Sequence, residues 1–85
     1  MKNPLVAIAD DDLAFANYLK TFLASRGYDS RIYGHGEELL VAARNGDVPD
    51  VVLLDVMMPG MDGLATLKNL KGAHPTVQVI MLSGR

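Results

Sequence analysis

Apolar residues fall along this chain in two rhythms. Val51-Val52-Leu53-Leu54 is an unbroken apolar run that follows Pro49-Asp50 and stops at Asp55. A run of that length, bounded by turn residues, predicts a strand buried on both faces, the habit of a parallel sheet. Leu5-Val6-Ala7-Ile8-Ala9 repeats the pattern and stops at Asp10-Asp11-Asp12, while Val77-Gln78-Val79-Ile80-Met81-Leu82 forms a last run ahead of Ser83. Ser30-Arg31-Ile32-Tyr33 alternates polar and apolar, as an edge strand does. Between these runs the period lengthens. Phe15, Tyr18, Leu19, Phe22 and Leu23 recur at helical spacing, so Asp12 to about Arg26 predicts an amphipathic helix, capped by Asp11 or Asp12 and stopped by Gly27. Glu37 to Arg44 predicts a short helix with an acidic start and a basic end, following the turn Gly34-His35-Gly36 and ended by Asn45-Gly46. Leu64, Leu67 and Leu70 mark a third, from Leu64 to about Leu70.

The order is therefore βαβαβαβ with short links. Right-handed crossovers turn that order into a three-layer α/β fold, a parallel sheet with helices on both faces, and bring the C-terminal strand ends to one edge. Asp10, Asp11, Asp55 and Ser83 all fall at such ends. Open α/β sheets bind their ligands there.

Composition narrows the classes that remain. Eighty-five residues make one domain, and 49% apolar content is high for so short a chain, so some apolar surface is expected to meet a partner. The formal charge of −2, with Lys and Arg scattered, gives no stripe for nucleic acid or an anionic membrane. Cysteine is absent, which removes disulfides and thiolate metal sites. No signal peptide or membrane-length run is present, so a soluble, cytoplasmic protein is expected.

If the first and third strands are neighbours, two or three carboxylates share one crevice, and their repulsion costs stability until a cation neutralises it. All-oxygen donors suit Mg2+, Mn2+ or Ca2+, and a loop carbonyl near Met57 could complete the shell along with water. Such an ion is commonly shared with a phosphoryl group. The Ser83 hydroxyl and the amides of Val56, Met57 and Gly84 could hold its oxygens, with Asp55 as nucleophile. Blander roles compete. Asp12 reads first as a helix cap, Asp10 alone as a turn residue, Ser83 alone as structural, Asp62-Gly63 as a turn, His35 and His74 as surface residues, and Met57, Met58 and Met61 as packing. Capping explains Asp55 poorly, since no helix follows it directly. Asp10-Asp11-Asp12 stands where a P-loop or a dinucleotide fingerprint needs glycines. A hydrolase of the haloacid dehalogenase type wants a second Asp two residues after the nucleophile, and Met57 is there.

From Leu5 to its last residue the chain resembles the receiver domain of bacterial two-component response regulators. The resemblance is carried by the acidic pair Asp10 and Asp11, by Asp55 at the phospho-acceptor position, by Met-Pro-Gly-Met-Asp-Gly at Met58 to Gly63, and by Ser83 at the Thr/Ser position. It implies a flavodoxin-like sheet, here in the order 2-1-3-4, and phosphoryl transfer to Asp55 from the His of a sensor histidine kinase or phosphotransfer protein with Mg2+ or Mn2+. It further implies that Asp11, Asp55 and the Met57 carbonyl bind the metal, that Asp10 supports them, and that Ser83 contacts the phosphoryl oxygens. The kinase would meet the helix that begins at Asp12 and the loop after Asp55. Receiver domains catalyse their own phosphorylation and dephosphorylation and turn over no external substrate. The family pattern continues through a fourth helix, a fifth strand preceded by Lys and bearing an aromatic residue, and a fifth helix. None lies in these residues, so residues 1–85 are expected to form a single partial, truncated receiver domain that self-associates as a homo-oligomer through its uncovered strand edge and apolar faces. An inactive, self-associating fragment is the alternative to a phospho-acceptor.

Overall fold

The structure is a computed structural model and describes residues 4–55 and 63–82. Strands β1 (Leu5–Ala9), β2 (Asp29–Tyr33), β3 (Val51–Asp55) and β4 (Gln78–Leu82) alternate with helices α1 (Leu13–Ser25), α2 (Gly36–Arg44) and α3 (Gly63–Ala73). All strand pairs are parallel, in the order β2-β1-β3-β4. This is the order and element count that the resemblance implies. A chain that leaves β1 for β2 and returns through α2 to β3, on the other side of β1, reverses direction at the β1/β3 boundary. The crevice at that boundary is where the acids converge.

Each face of the sheet has its own core. On one side Ala7, Ala9, Val52 and Leu54 pack with Leu39 and Ala43 of α2, Leu70 of α3 and Val77. On the other, Val6 and Ile8 pack against Ala16 of α1, with Leu19, Leu23, Ile32, Val51 and Leu53 partly buried around them. The sequence leads one to expect β3 to be buried on both faces, but only Val52, Leu54 and Asp55 are fully buried, while Val51 and Leu53 are intermediate. Val51 and Leu53 lie at the margin of the core that α1 forms with β1. The placement of α1 also corrects the apolar face expected of it. Ala16, Leu19 and Leu23 point at the sheet, whereas Tyr18 is 66% exposed and Phe22 46% exposed. Phe22 instead carries the Arg26 guanidinium over its ring, 5.0 Å from the centroid.

Local chemistry sets the helix ends. Asp12 is the N-cap of α1, and Gly27 takes the left-handed conformation (φ 86°) just beyond the C-cap Arg26. Helix α3 runs three residues past the expected Leu70, because Lys71 and Gly72 do not end it. Lys71 Nζ donates to the carbonyls of Pro75 at 2.9 Å and Val77 at 2.8 Å, placing a cation at the helix C-terminus.

Helix α2 begins one residue earlier than its apolar pattern suggests, at the buried Gly36. A Cβ on Gly36 would overlap the Thr66 hydroxyl of α3, a side chain with no exposure, so the approach of α2 to α3 requires glycine. Gly36→Ala should destabilise the fold by about 1–3 kcal/mol through overpacking. Urea denaturation would show it as a lower midpoint at unchanged slope, and adding Thr66→Ala should restore part of the loss.

Candidate functional site

Register brings the two strand-end acids together. Ala9 of β1 pairs with Leu54 of β3, so Asp10 and Asp55 stand side by side one step further on. Asp10 is fully buried, and its N–H donates to the Tyr33 carbonyl at 3.0 Å, which continues the β1–β2 ladder past the end of β1. Asp55 is 6% exposed and Asp11 is exposed. Carboxylate oxygens of Asp10, Asp11 and Asp55 all lie within 4.8 Å of one another. The crevice thus holds three acids on adjacent strand ends, one facing solvent and two sunk into the sheet edge.

A further hydrogen bond fixes this geometry. Asp12 N–H donates to Asp10 Oδ1 at 2.9 Å, an Asx turn from residue i to i+2. Asp12 Oδ1 in turn accepts the N–H of Phe15 at 3.1 Å and so starts α1. The sequence marks Asp12 as a cap but not its tie to Asp10. The Asp-x-Asp spacing ahead of a helix is the signal for that tie.

Three carboxylates this close repel one another, and a hard divalent cation relieves that repulsion. Two oxygens bound to one Mg2+ at about 2.1 Å lie about 3.0–4.2 Å apart, so oxygens within 4.8 Å of one another must draw closer to share an ion. An all-oxygen set on a water-accessible edge fits Mg2+ or Mn2+. Among the described residues this is the only group of three or more His, Cys, Asp or Glu side chains placed to hold a metal. His35 is exposed at the N-cap of α2 and makes no side-chain cap bond, and His74 closes α3 through its backbone N–H to the Leu70 carbonyl at 2.7 Å. Neither belongs to the acid cluster.

Other expected site residues lie outside the described residues: Met57, with the rest of the loop after Asp55, and Ser83 with Gly84. Leu82, the last described residue before Ser83, pairs with Asp55 across β3 and β4. No helix among the described residues is long and apolar enough to cross a membrane.

Known proteins share this arrangement. The family described as response regulator receiver domain matches residues 6–85. The DNA-binding transcriptional regulator NtrC of Salmonella typhimurium is 41% identical over 83 residues, 98% of this chain but 18% of its own length. This chain therefore spans less than a fifth of that relative. The receiver domain of the Francisella response regulator 1452 superposes with a TM-score of 0.86 at 38% identity, over 95% of this chain and 66% of that one. The solution structure of the beryllofluoride-activated NtrC receiver domain superposes with a TM-score of 0.82 at 41% identity, over 98% of this chain and 66% of that one.

Proposed function

Because this chain belongs to the family of response regulator receiver domains, we propose that it takes a phosphoryl group onto Asp55 from a phosphohistidine and so serves as a phospho-acceptor in two-component signalling. The observation that carries the reading is the meeting of Asp10, Asp11 and Asp55 within 4.8 Å at the ends of neighbouring strands. The donor is the His of a sensor histidine kinase or phosphotransfer protein, in the cytoplasm. An Asp55 carboxylate oxygen forms the O–P bond as the N–P bond breaks, and the electron pair returns to the imidazole nitrogen, which takes up a proton. Asp11, Asp55 and the Met57 carbonyl would hold Mg2+ or Mn2+, with Asp10 behind them. A bound Mg2+ supplies positive charge against the phosphoryl oxygens that approach Asp55. Ser83 contacts one of those oxygens and registers the modification. Water attacking phosphorus in line later breaks the Asp55 O–P bond, releasing inorganic phosphate and restoring the carboxylate. DNA binding is a property of the NtrC relative; these 85 residues, at net charge −2, offer no basic stripe for it.

Beryllofluoride on a carboxylate imitates an aspartyl phosphate, which makes it a direct test. Adding it with Mg2+ should shift the backbone amide resonances of Asp10, Asp11 and Asp55 in a two-dimensional NMR spectrum, and Asp55→Asn should abolish the shifts. Equal shifts in the Asn variant would refute Asp55 as acceptor.

A second reading, self-association of the 85-residue polypeptide, is favoured by β4. Its sequence, Gln-Val-Ile-Met-Leu, carries no charge, it pairs with no described strand but β3, and Ile80 is 53% exposed. An uncharged edge of this kind invites strand pairing. Sedimentation velocity across a concentration series should show a dimer that Ile80→Lys returns to monomer, and a monomer throughout would dismiss it.

A further inference from the structure

Asp12 is not one of the three clustered acids, yet it joins them to a helix. Its N–H holds Asp10 Oδ1, and its own Oδ1 holds the Phe15 N–H, so two hydrogen bonds run in series from the crevice into the first turn of α1. We propose that Asp12 is a positioning residue for the acidic pocket: its capping of α1 fixes the amide that orients the Asp10 carboxylate toward the cation. This inference rests on the reading that a divalent cation occupies the pocket.

Asp10 is fully buried between Tyr33 and Asp55, so the sheet sets its backbone, and the Asp12 amide holds its Oδ1. That amide belongs to a residue just outside α1, with φ −83° and ψ 94°, that is held by two bonds, its Oδ1 accepting from the Phe15 N–H and its carbonyl from the Ala16 N–H at 2.9 Å. The first turn of α1 carries no other acid to replace that cap. A side chain that cannot cap leaves the Ala16 bond but removes the Phe15 bond, so the Asp12 amide, and the Asp10 oxygen that it holds, are placed less firmly. Coupling is reciprocal, so a cation that draws on Asp10 must also tighten the cap.

The test uses the whole 85-residue chain as wild type, Asp12→Asn, Asp12→Ser and Asp12→Ala. Mg2+ is titrated with amide chemical shifts as readout, and Phe15 amide hydrogen exchange is measured with and without Mg2+. Asn and Ser retain the cap, so their Mg2+ affinity should stay within about twofold of wild type, while Ala should lose about fivefold, the size of one lost cap. Mg2+ should slow Phe15 exchange in wild type, Asn and Ser, but not in Ala. Two results overturn the positioning role: an Ala variant that binds Mg2+ like wild type, or an Asn variant as weak as Ala, which would assign the effect to charge. The Asn variant and the wild-type exchange decide the matter even if Ala fails to fold. Wild type that gives no response to Mg2+ overturns the cation reading itself, and this proposal with it. Binding by wild type together with an indifferent Ala variant overturns the positioning role alone.

Discussion

Asp55→Asn is expected to abolish covalent phosphorylation and, in cation-free buffer, to make the folded chain more stable than wild type. The first effect follows from chemistry. A carboxamide oxygen is a poor nucleophile toward phosphorus, and the described residues hold no other buried carboxylate on β3 to replace it. The second follows from the crowding of Asp10, Asp11 and Asp55 within 4.8 Å. Two unit charges at that separation repel by about 1 kcal/mol in water and by about 3–4 kcal/mol at the effective dielectric of a protein edge. Asn keeps the shape of Asp and removes its charge, so a gain of about 1–2 kcal/mol is expected. Urea denaturation in the presence of a chelator measures it. A substitution that stabilises a protein while ending its activity marks a residue held in place for function and not for folding.

The converse experiment adds the cation. A ligand bound only by the folded state stabilises it by RT ln(1 + [L]/Kd), about 2.7 kcal/mol at a hundredfold excess over Kd. For a domain of this size that corresponds to a rise in Tm of roughly 10–20 °C. Mg2+ and Mn2+ should both produce the rise, and Asp55→Asn and Asp10→Asn should each remove most of it. A wild-type Tm indifferent to Mg2+ up to tens of millimolar would mean that the three acids are only a cluster at a sheet edge.

Most of this architecture is legible in the sequence, because each strand announces its own end. Val51 to Leu54 stop at Asp55 and Leu5 to Ala9 stop at Asp10, and a carboxylate closing an apolar run belongs at an open sheet edge. What escaped the sequence was set by packing between distant segments. The helical period of α1 was legible, but not the rotation that turns Ala16, Leu19 and Leu23 inward and leaves Tyr18 in solvent, since that depends on where the helix lies over β1 and β2. Gly36 reads as a turn residue until Thr66, 30 positions later, is seen against it. In the site, the residue types and their order were legible for Asp10, Asp11 and Asp55. The division into two sunken acids and one exposed acid was not, because it follows from the β1–β3 register and from the Asx turn at Asp12.

The intact mass of the protein after incubation with acetyl phosphate, with and without Mg2+, tests the central claim most directly. The account predicts the gain of one phosphoryl group by the wild-type chain when Mg2+ is present and none when it is chelated. No gain in a folded sample, or a gain indifferent to Mg2+, would contradict it.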